Sequence, residues 1–258
     1  MVKLNRENLL RHINDPNDLI ELRKIIDKAE IVINDYVNLT SDFLNPHEIK
    51  KAAEILNSLN LSYSVYGGYD QSELSVISMG PEYLEEPTNF DIRAFKFNSM
   101  SGIKHKNVLG SILGLGIDRR KIGDILIGKD FTYFFAKNEI SDFIFYNLEK
   151  ISNYNVSLIE TEDGEDFPKK EYNEREIIIS SRRLDAFLSQ ALKIPRSKAA
   201  SLISQNQVKV NFTYIDKSSY MLNENDLVSV RRYGRIIFSN IEKTTKKDKL
   251  LVKIKIPK

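Results

Sequence analysis

Residues able to meet phosphate cluster in the last third of the chain. Positions 180–212 read SSRRLDAFLSQALKIPRSKAASLISQNQVKVNF. Arg182 and Arg183 open one short amphipathic helix, and Arg196, Ser197 and Lys198 open a second. Gln205 lies at the end of that helix, and Lys209 alternates with Val208 and Val210 on a following strand. Arg231, Arg232 and Arg235 form a basic turn after a later strand, Asp226 to Val230. Lys and Arg supply most of the affinity of a protein for a nucleic-acid backbone. Cations in a first helical turn oppose the helix dipole and cost a few tenths of a kcal/mol. A phosphate ligand explains them, because it meets the side chains and the free N–H groups of the helix start together. Pro195, read as the first helical residue, makes that entry rigid.

Charge is segregated in the same sense. Residues 175–258 hold 18 Lys and Arg against 7 Asp and Glu, a net +11, whereas residues 1–174 hold 20 against 29, a net −9. The total of +2 hides a basic C-terminal part on an acidic body. Such asymmetry points to a nucleic-acid or membrane partner for the basic part. With no cysteine, disulfides, zinc–thiolate sites and thiol catalysis are excluded. His12, His47 and His105 have no metal-ligand spacing. No apolar run nears the ~18–20 residues of a membrane span, and the first residues carry no signal-peptide pattern. A cytoplasmic protein without metal, cofactor or membrane partner is expected.

Two motifs imitate enzyme signatures. Gly110, Gly114, Gly116 and Gly123 suggest a phosphate loop, but no Gly-Lys-Ser/Thr ending follows and a dinucleotide fingerprint is incomplete. They read as a helix ended by glycine, then a basic turn and a strand. Arg119, Arg120 and Lys121 of that turn are added RNA-contact candidates. Arg183-Leu184-Asp185 resembles the catalytic aspartate context of pseudouridine synthases, but only 73 residues follow Asp185. Leu184, Phe187, Leu188 and Leu192 form a core stripe, and Asp185 suits the helix start and a nearby arginine. No catalytic residue is assigned.

The elements that must position these side chains follow from periodicity. Residues 1–60 read as a helical region, with Leu19, Leu22, Ile25, Ile26 and Ala29 at helical spacing and Pro46 opening a further helix. Residues 61–160 change to a period of two around Ser62–Tyr66, Leu74–Ser78 and Phe90–Phe97, with helices near 105–116 and 138–149. Residues 161–175 are charged and poor in apolar side chains, so they read as a linker. Residues 176–258 form the basic domain. The fold class is α+β: a helical N-terminal segment, an α/β sandwich, and a C-terminal domain of two helices and strands.

The C-terminal pattern resembles the RNA-binding domain named after small-subunit ribosomal protein S-four. Arg183-Leu184-Asp185-x-x-Leu188, Pro195-Arg196-Ser197-Lys198-Ala199 and Leu202-Ile203 through Val208-x-Val210-Asn211 carry the likeness. Three positions depart from it: Pro195 for a serine, Asn206 for a glycine and Phe212 for a glycine. The whole chain resembles the bacterial YlmH family, through Gly114-Leu-Gly116-Ile-Asp-Arg119-Arg120-Lys121 and Asp226-Leu-Val-Ser-Val-Arg231-Arg232-Tyr-Gly234-Arg235. That resemblance implies an RNA-recognition-like middle domain, structured rRNA and tRNA as partners, the large ribosomal subunit, and rescue of stalled peptidyl-tRNA. It also implies a link to cell division. An RNA-modifying enzyme that uses the basic domain for substrate delivery is the rival reading, and a protein-interaction adaptor whose acidic residues 1–60 recruit a division protein is a third.

Overall fold

The computed structural model describes residues 2–11, 13, 15–83, 88–161, 165–245 and 248–257, with the backbone alone at residue 17. His12, Lys246 and Lys247 lie outside the described residues. The chain forms two compact units, Met1–Lys169 and Lys170–Lys258.

The first unit opens with helices α1 (Arg6–Leu10), α2 (Pro16–Asp35) and α3 (Pro46–Ser58). Asn45 starts α3 as a capping box: its side chain accepts from the Glu48 N–H, and Glu48 accepts from the Asn45 N–H at 2.8 Å. Helices α2 and α3 lie on a small antiparallel sheet of order β1-β3-β2, formed by Leu39–Thr40, Leu61–Tyr66 and Val76–Pro81. Leu22, Ile25, Ile26 and Ala29 meet Ala52, Leu56, Ile77 and Met79 in one core. Each such large side chain contributes about 1.5–3 kcal/mol on burial. Two strands of the alternating region thus belong with the helices. Within the region read as helical, β1 lies between α2 and α3, and its two residues are too short to show a period.

A second sheet of order β5-β6-β4-β9 follows, antiparallel throughout. Its strands are β4 (Ile92–Asn98), β5 (Ile122–Ile127), β6 (Phe131–Lys137) and β9 (Ile159–Glu160). Just before β9, Tyr154–Asn155 (β8) pairs with Lys150–Ile151 (β7) in a separate hairpin. Helices α4 (His105–Leu113) and α5 (Asn138–Asn147) cover one face, where Phe95, Phe97 and Phe134 are buried with Val108, Ile112 and Ile144. The other face carries Phe131, Tyr133 and Phe135 and meets Phe43, Tyr69, Leu74 and Phe167.

In the second unit, β10 (Tyr172–Ile179) leads to α6 (Leu184–Leu192) and α7 (Arg196–Ser204). Then come β11 (Val208–Val210), β12 (Thr213–Tyr214), β13 (Asp226–Val230), β14 (Gly234–Thr244) and β15 (Leu250–Pro257). They form one antiparallel sheet of order β10-β15-β14-β13-β11-β12. Leu184, Phe187, Leu188, Ala199, Leu202 and Ile203 pack on its inward residues. The Phe187 and Phe238 rings meet edge to face at 5.5 Å.

The expected linker is ordered at both ends. Glu165 and Phe167 contact the second sheet, and Tyr172–Arg175 pair with β15. Charge concealed the anchors, because isolated aromatic and strand residues in an acidic stretch give no period.

Candidate nucleic-acid interface

The starts of α6 and α7 are joined by a buried acid. Asp185, only 5% exposed, accepts from Arg183 Nε and Nη2 at 3.1 and 3.0 Å, and from Arg196 Nε and Nη2 at 3.1 Å each. Its Oδ1 also accepts from the Ala186 N–H at 2.8 Å. Burial alone would raise the Asp185 carboxyl. The hydrogen bonds from Arg183 and Arg196 outweigh it and hold that carboxyl below its usual value. One carboxylate therefore fixes two guanidinium planes, each keeping outward N–H donors for a second anion.

Arg182 and Lys198 flank this clamp, exposed and without a side-chain partner among the described residues. Ser197 is exposed in the first turn of α7. Pro195 stands at the cap position, one residue earlier than its expected place, so Arg196 begins the helix. A cavity of about 320 Å³ beside the clamp is lined by Ser180, Ser189, Gln190, Arg196 and Lys249, with Ile178 and Ala186.

A second group of cations lies on the outer face of the sheet. Lys209 pairs in register with Tyr214 on one side and Ser229 on the other, and Ser229 with Arg235. One row thus crosses four strands, while Val208, Val210, Val228 and Val230 point into the core. Lys209 Nζ lies 4.2 Å from the Tyr214 ring centroid, and the Arg235 guanidinium 5.8 Å from that of Phe212. Phe212 retains the tight β11–β12 turn by adopting φ 70°, at a cost of about 1–2 kcal/mol. Asn206 likewise adopts φ 53°. Arg231 and Arg232 are exposed at the β13–β14 turn, and the Arg231 N–H donates to the Gln207 carbonyl at 2.9 Å. That bond sets the turn beside the end of α7, where Gln205 bonds Ser201 and Gln207.

The opposite half of this sheet is balanced in charge. Lys253 and Lys255 lie 3.6 and 3.7 Å from Glu174, and Lys253 lies 3.9 Å from Glu242.

Arg119, Arg120 and Lys121, expected as further RNA contacts, each have partners within the first unit. Arg120 grips Glu48 with two bonds of 2.8 Å and approaches Glu21 at 3.5 Å. Burial disfavours its charge, but those carboxylates more than restore it. Lys121 donates to Asp42 at 2.6 Å and pairs with Glu139. Arg119 donates to the Ile122 carbonyl. These side chains tie α2, α3 and α5 to the entry of β5 and are occupied within the first unit. Sequence spacing gave no sign of this, since their acidic partners lie far away along the chain.

Phe95 and Phe97 are buried under helices, so neither offers a ring to a base. Among the described residues no group of three His, Cys, Asp or Glu is placed to hold a metal, and no helix is long and apolar enough to cross a membrane.

Three family models match. They are described as "YlmH, N-terminal" over residues 17–84, "Putative RNA-binding domain in YlmH" over residues 87–165, and "S4 domain" over residues 182–228. The "Ribosome-associated protein quality control protein P2" of Bacillus subtilis (strain 168) is 30% identical over 236 residues, covering 88% of this chain and 92% of that protein. The solved structure of "Cell division protein ylmH from Streptococcus pneumoniae" shares the fold with a TM-score of 0.53. It is 24% identical and covers 58% of this chain and 93% of that one. The α+β class with a C-terminal S4 domain is thereby met.

Proposed function

Since the chain belongs to the YlmH family, we propose that it is a non-catalytic, cytoplasmic RNA-binding protein of ribosome quality control. It docks through its second unit on structured rRNA or tRNA of the large ribosomal subunit carrying a stalled peptidyl-tRNA. One observation carries this reading: Arg183 and Arg196 are fixed by a single buried carboxylate, with exposed Arg182 and Lys198 near the same helix starts. Fixed guanidinium forks suit phosphate oxygens held in the rigid geometry of folded RNA. The row from Lys209 to Arg235 and the turn at Arg231 and Arg232 widen the contact. RNA shape, more than base sequence, is what such a surface reads. The relative from Bacillus subtilis carries ribosome-associated quality control in its name, which supports the choice of partner.

Co-sedimentation with purified large subunits tests the reading. Arg182→Ala is expected to weaken binding by about 1–3 kcal/mol, roughly five- to 150-fold, if the contact to phosphate is well formed. Lys253→Ala, on the balanced half of the sheet, should change it by less than about twofold. Equal losses from both would make the surface a diffuse charge cloud and overturn the docking face.

A further inference from the structure

The uncapped sheet face of the first unit holds an unusual occupant. Sheets of this antiparallel kind recognise unpaired RNA by stacking bases on exposed aromatic rings. Here Tyr133 and Phe135 are covered. One half of the cover is built in: Asp124 accepts from Tyr69 Oη at 2.6 Å and from the N–H groups of Glu73 and Leu74 at 2.7 and 3.2 Å. Gly68, at φ 99°, presses that loop onto Phe135, where an added Cβ would come within 2.3 Å of the ring.

The other half is a short strap with different physics. The Glu165 carboxylate takes Lys96 Nζ at 2.9 and 2.8 Å and the Tyr133 hydroxyl at 3.0 Å. The Phe167 ring sits 5.2 Å from Phe135, 5.4 Å from Tyr133 and 5.8 Å from Tyr69. Lys96 and Tyr133 are direct cross-strand partners, so one anion and one ring fill adjoining places on the face. Among the described residues, 165–169 make no backbone hydrogen bond, so side chains alone hold the strap. Its first two described residues, Glu165 and Asp166, are acidic, and one aromatic residue, Phe167, follows them. A carboxylate on a lysine and a flat ring among aromatics reproduce the two contacts a nucleotide makes.

We infer that Glu165 and Phe167 form an internal substitute for a nucleotide, closing a single-stranded RNA site on the β4–β6 face. Displacement of the strap puts a base in the Phe167 slot against Tyr133 and Phe135. It also puts a phosphate on Lys96, whose Nζ already stands 5.2 Å from the Phe131 ring centroid. The Asp124-anchored loop stays in place, which limits the opening to one or two nucleotides. This site is separate from the folded-RNA face of the second unit and does not rest on that reading.

The test uses full-length protein and fluorescein-labelled decauridine RNA, read by anisotropy at one salt concentration. Glu165→Gln with Phe167→Ala is expected to tighten binding at least tenfold over the unaltered chain. Lys96→Ala added to that pair should remove the gain, while Lys253→Ala added to it should leave the gain intact. Glu165→Gln alone, which keeps the aromatic packing, should give about threefold. Asp166→Asn, an equal loss of charge that frees no lysine, should give under twofold. If the double variant fails to fold, the single variant decides with the same Lys96→Ala control. No gain in folded variants, or a gain that survives Lys96→Ala, overturns the inference.

Discussion

Asp185→Asn separates an organised phosphate clamp from simple positive charge, because the two predict opposite signs. The change removes one negative charge from the middle of a cationic face. At about 7 Å from a bound phosphate in water, that charge repels by about 0.6 kcal/mol. If Arg183 and Arg196 act only through their charge, the variant binds RNA roughly threefold tighter. The structure argues otherwise. Asp185 holds each guanidinium by two bonds of 3.0–3.1 Å. Asparagine offers a single acceptor oxygen, and its amide N–H₂ faces a guanidinium. Both long side chains then regain rotamer freedom, and each costs about 1 kcal/mol to immobilise again on binding. Less the 0.6 kcal/mol of relieved repulsion, about 1.4 kcal/mol is lost, or tenfold in Kd. Titration with large ribosomal subunits at fixed salt measures it, with thermal unfolding as a control. Unchanged or tighter binding by a folded Asp185→Asn protein would refute preorganisation.

Two further outcomes concern the first unit. Arg120→Ala strands Glu48, which is 1% exposed, and should cost about 3 kcal/mol of stability, roughly 6–12 °C in Tm, without altering RNA affinity by more than about twofold; a calorimetric Tm within about 2 °C of the parent would contradict the pairing. Lys137 donates to Thr40 and to the Phe90 carbonyl, and burial lowers it to about 8. The unfolded lysine therefore keeps its proton between pH 8 and 10 where the folded one loses it, so raising pH across this window stabilises the fold. Relative to Lys137→Met, the parent should gain roughly 2–3 kcal/mol in denaturant unfolding, and a flat difference would show that Lys137 is not desolvated.

The sequence is most legible where local rules decide structure. Pro46 at the start of α3, the stripe from Leu184 to Leu188, and the alternation of Val208 and Val210 all act over a few residues. Their elements follow directly. The cationic start of α7 is legible for the same reason, since Arg196 and Lys198 oppose the dipole of their own helix, whereas Arg182 stands before the cap of α6. Partnership across the fold is not legible. Arg120 and Lys121 look as available as Arg182, yet Glu48 and Asp42 claim them from 72 and 79 residues away. Arg183 and Arg196 share Asp185, a pairing that depends on how two helices cross. Phe212 occupies a left-handed turn usually given to glycine, and only its neighbour Arg235 hints at why a ring stands there. The strap at Glu165 and Phe167 hid in an acidic stretch, where composition argues for a linker and a single ring carries no period.

Ultraviolet crosslinking in growing cells, with sequencing of the RNA and mapping of the joined peptides, tests the central claim most directly. The account predicts large-subunit rRNA or tRNA joined to peptides around residues 181–198 and 205–235. Crosslinks confined to residues 1–169, or RNA that is neither ribosomal nor transfer RNA, would contradict it.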